Sequence, residues 1–172
     1  MARTPPKDAY ADFMAQAYAM ELDAVERYAL FADQLDTHNN RAVAEMFRKL
    51  SAIEALHAKR ILEEMGWPSL PALPVAFAWE GGEGPETAPA DAVHYLMQPR
   101  QALEIALDCE RRAKKHFEAI ARGRAPKKVR EAAKEMAAEE AEHVRLIQEW
   151  MARVPPLDPD WDRDPDPPRM SD

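Results

Sequence analysis

Apolar side chains recur with the period of a helix in four separate stretches of the 172-residue chain. The stretches run from about residue 8 to 36, from about 40 to 65, from about 99 to 122 and from about 126 to 153. Only short turns separate the first stretch from the second and the third from the fourth, so each pair is predicted to pack as an antiparallel hairpin. The pattern therefore predicts an all-α protein, an antiparallel four-helix bundle.

Glycine and proline mark the predicted ends of these helices. Gly66 follows the second helix, and Pro68 lies just beyond it. Pro99 suits the first turn of the third helix, and Gly123 suits a cap after its last turn. The helix limits are therefore supported by two independent signals, the apolar period and the residues that interrupt it.

Residues 67–98 change character and are rich in proline and glycine. We predict that they form a long crossover between helices two and three, with a candidate short helix at residues 90–97. The chain then divides into a flexible N-terminus at 1–7, a bundle at 8–153 and a Pro/Asp-rich extended tail at 154–172.

Each predicted helix carries one glutamate at the centre of its apolar stripe, where a surface helix normally places a hydrophobic residue. In the second and fourth helices, a histidine follows that glutamate three residues later. The six residues are Glu21, Glu54, His57, Glu110, Glu140 and His143. Since the spacing within the two hairpins is nearly the same, the second hairpin repeats the first.

Four carboxylates in one core need compensation, because an unpaired buried charge costs on the order of several kcal/mol. Two divalent cations would supply four positive charges, and two neutral imidazoles would complete their coordination. One glutamate from each of two helices, with Glu-x-x-His from each of the other two, is a known ligand set for paired iron or manganese ions in bundles. Mixed carboxylate and imidazole ligands also suit zinc. We therefore predict a two-metal site.

The sequence around these positions resembles the ferritin-like superfamily, and most closely its rubrerythrin branch. The resemblance covers about residues 8–153 and rests on Glu21-x6-Tyr28, Glu54-Ala-Leu-His57, Glu110-x6-Phe117 and Glu140-Ala-Glu-His143, together with the run Glu-Arg-Tyr-Ala-Leu-Phe-Ala that contains Tyr28. It implies a ferritin-like bundle with a long crossover and a carboxylate-bridged di-iron centre.

The same resemblance implies a role for each residue of the site. Glu54 and Glu140 correspond to bridging ligands, Glu21 and Glu110 to terminal ligands, and His57 and His143 to one imidazole per metal. Tyr28 matches the tyrosine of the family and is expected to hydrogen-bond a ligand carboxylate, which makes it the candidate catalytic residue.

Rubrerythrins proper also carry a rubredoxin-type domain with four cysteines, whereas Cys109 is the single cysteine of this sequence. The resemblance therefore implies a separate electron donor and a homodimer or higher homo-oligomer. The leading interpretation is a non-haem di-iron oxidoreductase that reacts Fe(II) pairs with peroxide or oxygen, as a rubrerythrin-like peroxidase or a ferroxidase. The alternatives are an iron-binding or storage protein that forms an oligomeric shell, an interaction bundle whose acids form a metal-free network, and an oxygen-activating oxidase that acts on an organic substrate, since the ligand set is shared.

Composition excludes other classes of function. The net charge is −8 and the basic residues do not cluster, so nucleic acid and anionic membranes are not expected partners. No stretch approaches the roughly 20 apolar residues of a membrane span, and the N-terminus lacks an apolar signal segment. We expect a cytoplasmic protein.

Overall fold

The computed structural model describes residues 8–71 and 84–166. These residues form four helices, α1 Ala9–Thr37, α2 Arg41–Met65, α3 Pro99–Arg122 and α4 Lys127–Met151. Helices α1 and α2 pack together along their length, as do α3 and α4, and the two hairpins meet where α2 faces α3 and α1 faces α4. The predicted all-α four-helix bundle is confirmed. The expectations for residues 1–7, 72–83 and 167–172 lie outside the described residues.

Local interactions set the ends of the helices close to the predicted positions. The Asp8 carboxylate accepts hydrogen bonds from the backbone amides of Tyr10 and Ala11 and so caps the start of α1. Helix α2 ends at Gly66, whose φ of +64° is left-handed, and the next amide bonds back to the carbonyl of Leu62.

The candidate short helix at residues 90–97 does not form, and that prediction is wrong. The segment makes two isolated turns instead, closed by hydrogen bonds from Ala92 N to Pro89 O and from Met97 N to His94 O. A helix of this length makes too few hydrogen bonds to offset the cost of its nucleation. The side chain of Asn40 bonds to the Met97 carbonyl at 2.7 Å and holds this part of the crossover against the bundle.

Two apolar clusters fill the bundle toward its opposite ends. One cluster includes Tyr28, Phe31 and Phe47, with the Phe31 and Phe47 rings 5.2 Å apart, and the other includes Phe13 and Phe117, with rings 6.2 Å apart. In every helix, the glutamate singled out from the sequence lies between residues of the first cluster and residues of the second. The core is therefore divided by a single polar layer.

The chain after α4 lies against the crossover as far as it is described. The Trp161 ring makes an edge contact with His94 at 5.2 Å, and the Tyr95 hydroxyl donates a 2.6 Å hydrogen bond to Asp164. The exposed His94 thus makes ring contacts that hold the chain after α4 against the crossover. None of the described helices combines the length and apolar character needed to cross a membrane.

Candidate metal centre

The polar layer contains the four stripe glutamates, one from each helix. Glu21 is 5 % exposed, Glu54 1 %, Glu110 1 % and Glu140 2 %. The apolar period of each helix explains their burial, because a residue at the centre of the stripe faces the bundle axis whatever its side chain is. The structure thus brings together four acids that are far apart in the sequence.

The two predicted histidines lie beside these acids. His57 Nδ1 is 3.1 Å from Glu54 Oε2 and 3.8 Å from Glu21 Oε2. His143 Nδ1 is 3.1 Å from both Glu110 Oε2 and Glu140 Oε2. The imidazole rings stack in parallel with centroids 4.3 Å apart. Each histidine therefore points the same nitrogen at the carboxylates of its own hairpin, as the internal repeat of the sequence indicated.

A fifth buried carboxylate belongs to the same layer and was not predicted. Glu86 comes from the crossover, is 0 % exposed, and offers an oxygen that lies within 4.8 Å of ligand atoms of Glu21 and Glu54. The sequence contains no signal for it, since residues 84–89 follow neither a helical nor a strand period. The sequence predicts the crossover only as a connection between helices two and three.

Two arginines fix the segment that carries Glu86. Arg112 donates to the carbonyl of Pro85 at 2.6 Å and to that of Thr87 at 3.2 Å, and Arg27 donates to the carbonyl of Ala88. These bonds satisfy carbonyl groups on both sides of Glu86, while neither oxygen of its carboxylate accepts a hydrogen bond. The side chain is therefore directed into the core by the backbone around it.

Several oxygens of the site have no hydrogen-bond partner. Glu21 Oε2 and both carboxylate oxygens of Glu86 are completely buried and unpartnered, as is the Tyr28 hydroxyl. Buried polar atoms in folded proteins are almost always satisfied. Unpartnered carboxylate oxygens that converge on one point are what a cation would satisfy.

Burial and neighbouring charges shift the pKa values of the glutamates and histidines of the site. Burial raises the pKa of Glu21 to about 7 and that of Glu110 well above its usual value. Burial alone would lower the pKa of the histidines, but contacts with the carboxylates outweigh it and raise the pKa of His57 to about 9 and that of His143 to about 11. Without metal, the layer thus holds protons at neutral pH.

The donor atoms fit metal ions. Three groups have ligand atoms within 4.8 Å of one another, namely Glu110, Glu140 and His143; Glu21, Glu54 and Glu86; and Glu54, His57 and His143. The contacts of 3.1 Å between histidine and glutamate are hydrogen bonds here, and they place these donors close enough together to share one ion. The chemistry and the spacing both match two adjacent cation sites.

Tyr28 lies against this layer on the side of the first apolar cluster. Its ring stacks on Phe47 at 5.8 Å, and burial followed by the nearby Cys109 and Glu110 raises its pKa well above the usual value. The predicted hydrogen bond to a ligand carboxylate is not formed, and Glu54 and Glu110 each direct one oxygen, Oε2, at a histidine. The hydroxyl is thus a proton donor that lacks an acceptor.

A polar depression between α1, α2 and α4 leads from the surface to the layer. Glu21 and His57 lie at its inner end, and Arg60, Glu64 and Glu139 are among the residues that line it toward the surface. Arg60 pairs with Glu139 across α2 and α4. Acidic groups around such an opening raise the local concentration of cations, and the depression joins the surface to Glu21 and His57.

Comparison with known proteins agrees with this architecture. Residues 12–68 match the Rubrerythrin family model. The crystal structure of an uncharacterized conserved protein from Magnetospirillum magnetotacticum MS-1 is similar with a TM-score of 0.63 and 34% sequence identity, and the match covers 86% of this chain and 97% of that chain. No curated protein matches the sequence.

The fold and its layer of carboxylates define a ferritin-like helical bundle with residues that are able to hold metal. Within that class, the chain belongs to the rubrerythrin family. The family typically binds a pair of iron ions, which is the group that the donor set of this chain fits.

Proposed function

We propose that this chain is a non-haem di-iron oxidoreductase that reacts Fe(II) pairs with peroxide or oxygen. The observation that carries the proposal is the buried layer itself, in which four stripe glutamates and two parallel histidines converge and carboxylate oxygens are left without partners. A merely structural network would satisfy these oxygens with protein donors. The rubrerythrin family match supports iron as the metal.

The residues of the layer have distinct proposed roles. Glu110, Glu140 and His143 would hold one ion, and Glu21, Glu54 and His57 would hold the other, with Glu54 and Glu140 as the residues shared between the two positions. When bound, the iron pair supplies the electrons that reduce oxygen or peroxide. The protein contributes the fixed positions of the ligands and an apolar surround that excludes water from both sides of the layer.

Tyr28 is the proposed catalytic residue. Because its pKa is raised well above the usual value, the hydroxyl keeps its proton at neutral pH. It is buried beside Glu54 and Glu110, and its hydroxyl has no hydrogen-bond partner. We propose that Tyr28 would donate its O–H proton to an oxygen of the reduced oxidant, and that water entering as the product leaves would return a proton to the tyrosinate.

Two further elements of the proposal concern partners. This sequence holds a single cysteine, so electrons are proposed to come from a separate donor protein. The chain is also proposed to act as a homodimer or a higher homo-oligomer.

The test is anaerobic loading with Fe(II), followed by mixing with oxygen or peroxide. We expect about two irons per chain and oxidation much faster than in the Glu54→Ala variant. The matched control is Glu45→Ala, which removes an exposed glutamate from the same helix and should leave both quantities unchanged. Absence of bound iron, or oxidation no faster than in Glu54→Ala, would refute the proposal. A large shell that retains many irons per chain in light scattering would instead support storage.

A further inference from the structure

Glu86 is a buried acid that the six-residue site does not require. It is as inaccessible as the core phenylalanines, yet neither carboxylate oxygen has a hydrogen-bond partner. It also does not belong to any helix, since it lies in the crossover at residues 84–98. Removing a carboxylate from water without a partner is among the most expensive features that a core can contain.

Glu86 is placed close to one half of the layer. Its ligand oxygen, together with those of Glu21 and Glu54, forms a group within 4.8 Å, whereas the other half of the layer is the group of Glu110, Glu140 and His143. His57 Nδ1 is 3.1 Å from Glu54 Oε2 and so belongs to the same half. Apart from the shared Glu54 and Glu140, three donors therefore lie at the first position and two at the second.

We propose that Glu86 is a seventh protein ligand of the metal centre, bound to the ion that Glu21, Glu54 and His57 also hold. The inference rests on the proposed function, because it assigns a residue to the same pair of metal ions. It makes the two metal positions unequal although the two hairpins repeat each other.

A structural role does not account for the geometry. A neutral carboxylic acid has an O–H that must donate and a carbonyl oxygen that must accept, and neither group of Glu86 finds a partner. An ionised carboxylate that serves only the fold would face an arginine, but Arg27 and Arg112 bond to the backbone carbonyls around Glu86 instead. A metal ion accounts for both oxygens at once.

The additional ligand has two consequences. Five carboxylates against two divalent ions leave one excess negative charge, which favours the trivalent state of the ion nearest to Glu86. Metal binding would also tie the crossover to the bundle, because Glu86 lies between the backbone carbonyls that Arg112 and Arg27 hold. Metal loading should therefore protect the backbone amides of residues 84–88 from hydrogen exchange.

The test compares the wild-type chain with Glu86→Gln, which keeps the shape of the side chain and removes its charge. The matched control is Glu45→Gln on the surface of α2. Mn(II) and Co(II) are titrated by calorimetry, and the visible absorption of bound Co(II) reports the number and type of its ligands. Loss of groups that only support metal ligands weakens affinity by about 10- to 100-fold. We therefore expect one of two sites to weaken at least about tenfold in Glu86→Gln, with the other site unchanged.

Equal affinities and identical Co(II) spectra for Glu86→Gln and the wild type would overturn the inference while leaving the proposed function intact. Failure of the wild type to bind metal would instead remove the proposed function itself. Hydrogen exchange of the wild-type chain gives a second readout that needs no variant. Slower exchange of the amides at 84–88 after Mn(II) loading supports the ligand role, and unchanged exchange contradicts it.

Discussion

The hydroxyl of Tyr28 is a single group whose effects on stability and on activity should have opposite signs. It is buried without a hydrogen-bond partner, so Tyr28→Phe removes an unsatisfied polar group and is expected to leave stability unchanged or to raise it by about 1 kcal/mol. The same change removes the proposed proton donor, and because positioned acids contribute about 100-fold or more to rates, oxidation of bound Fe(II) should slow at least about tenfold. Thermal unfolding and stopped-flow absorption measure the two quantities.

The control for this prediction is Tyr18→Phe. Tyr18 lies on the same helix, packs against the other apolar cluster and is partly exposed. The Tyr18→Phe substitution should have little effect on the oxidation rate. If Tyr28→Phe oxidises iron at the wild-type rate with an unchanged metal content, the hydroxyl has no catalytic role and the ring alone matters.

Single residues also show what the sequence can and cannot predict about the site. Glu21 and Glu110 were recognisable because each interrupts an apolar stripe, and a periodic stripe states which residues face inward. Glu86 was not recognisable, because its burial depends on hydrogen bonds that Arg27 and Arg112 make to carbonyls far away in the chain. Contacts between residues far apart in the chain leave no pattern in the local sequence.

At the scale of elements, the end of α2 depends on the backbone of one glycine. Gly66 has a φ of +64°, and a Cβ at this position would meet no atom within 4 Å. Substitution is therefore opposed by backbone conformation and not by packing. Gly66→Ala is expected to lower the free energy of unfolding by about 1–2 kcal/mol, the cost of a left-handed residue. Denaturant unfolding of the metal-free protein measures this cost.

Gly66→Asn is the matched variant, because asparagine tolerates left-handed backbone better than alanine does. We expect it to lose clearly less stability than Gly66→Ala. Equal losses for the two variants would show that the helix end tolerates another conformation and that the glycine is not required.

The helices were predictable because local sequence signals, such as Gly66 after α2, mark where they end. Helices α2, α3 and α4 combine an apolar period with a glycine or proline at an end, and α1 combines one with the capping residue Asp8. These local signals do not depend on the rest of the chain. The candidate helix at 90–97 failed because its side chains and carbonyls have partners elsewhere, as when Asn40 bonds to Met97. In the crossover, tertiary contacts determine the conformation of the backbone.

At the scale of the whole molecule, protons and metal ions compete for the same layer. Folding raises the pKa of Glu21 from 4.5 to about 7, that of His57 from 6.5 to about 9 and that of His143 from 6.5 to about 11. For all three groups, the folded state therefore binds more protons than the unfolded state. The stability that Glu21 contributes is lost as the pH rises through about 7, and that of the histidines is lost as it rises through about 9 and 11.

The metal-free protein should consequently become less stable between pH 6 and pH 9. For each proton that the folded state holds in excess, the free energy of unfolding falls by about 1.4 kcal/mol per pH unit. This fall lowers the midpoint of thermal unfolding by about 3 °C per pH unit. Metal ions bind only after these protons leave, so the increase in midpoint caused by saturating Mn(II) should grow over the same range. Thermal unfolding of both forms at matched pH values measures the two trends. A midpoint of the metal-free protein that stays constant or rises, together with a pH-independent effect of Mn(II), would contradict the view that the layer exchanges protons for metal.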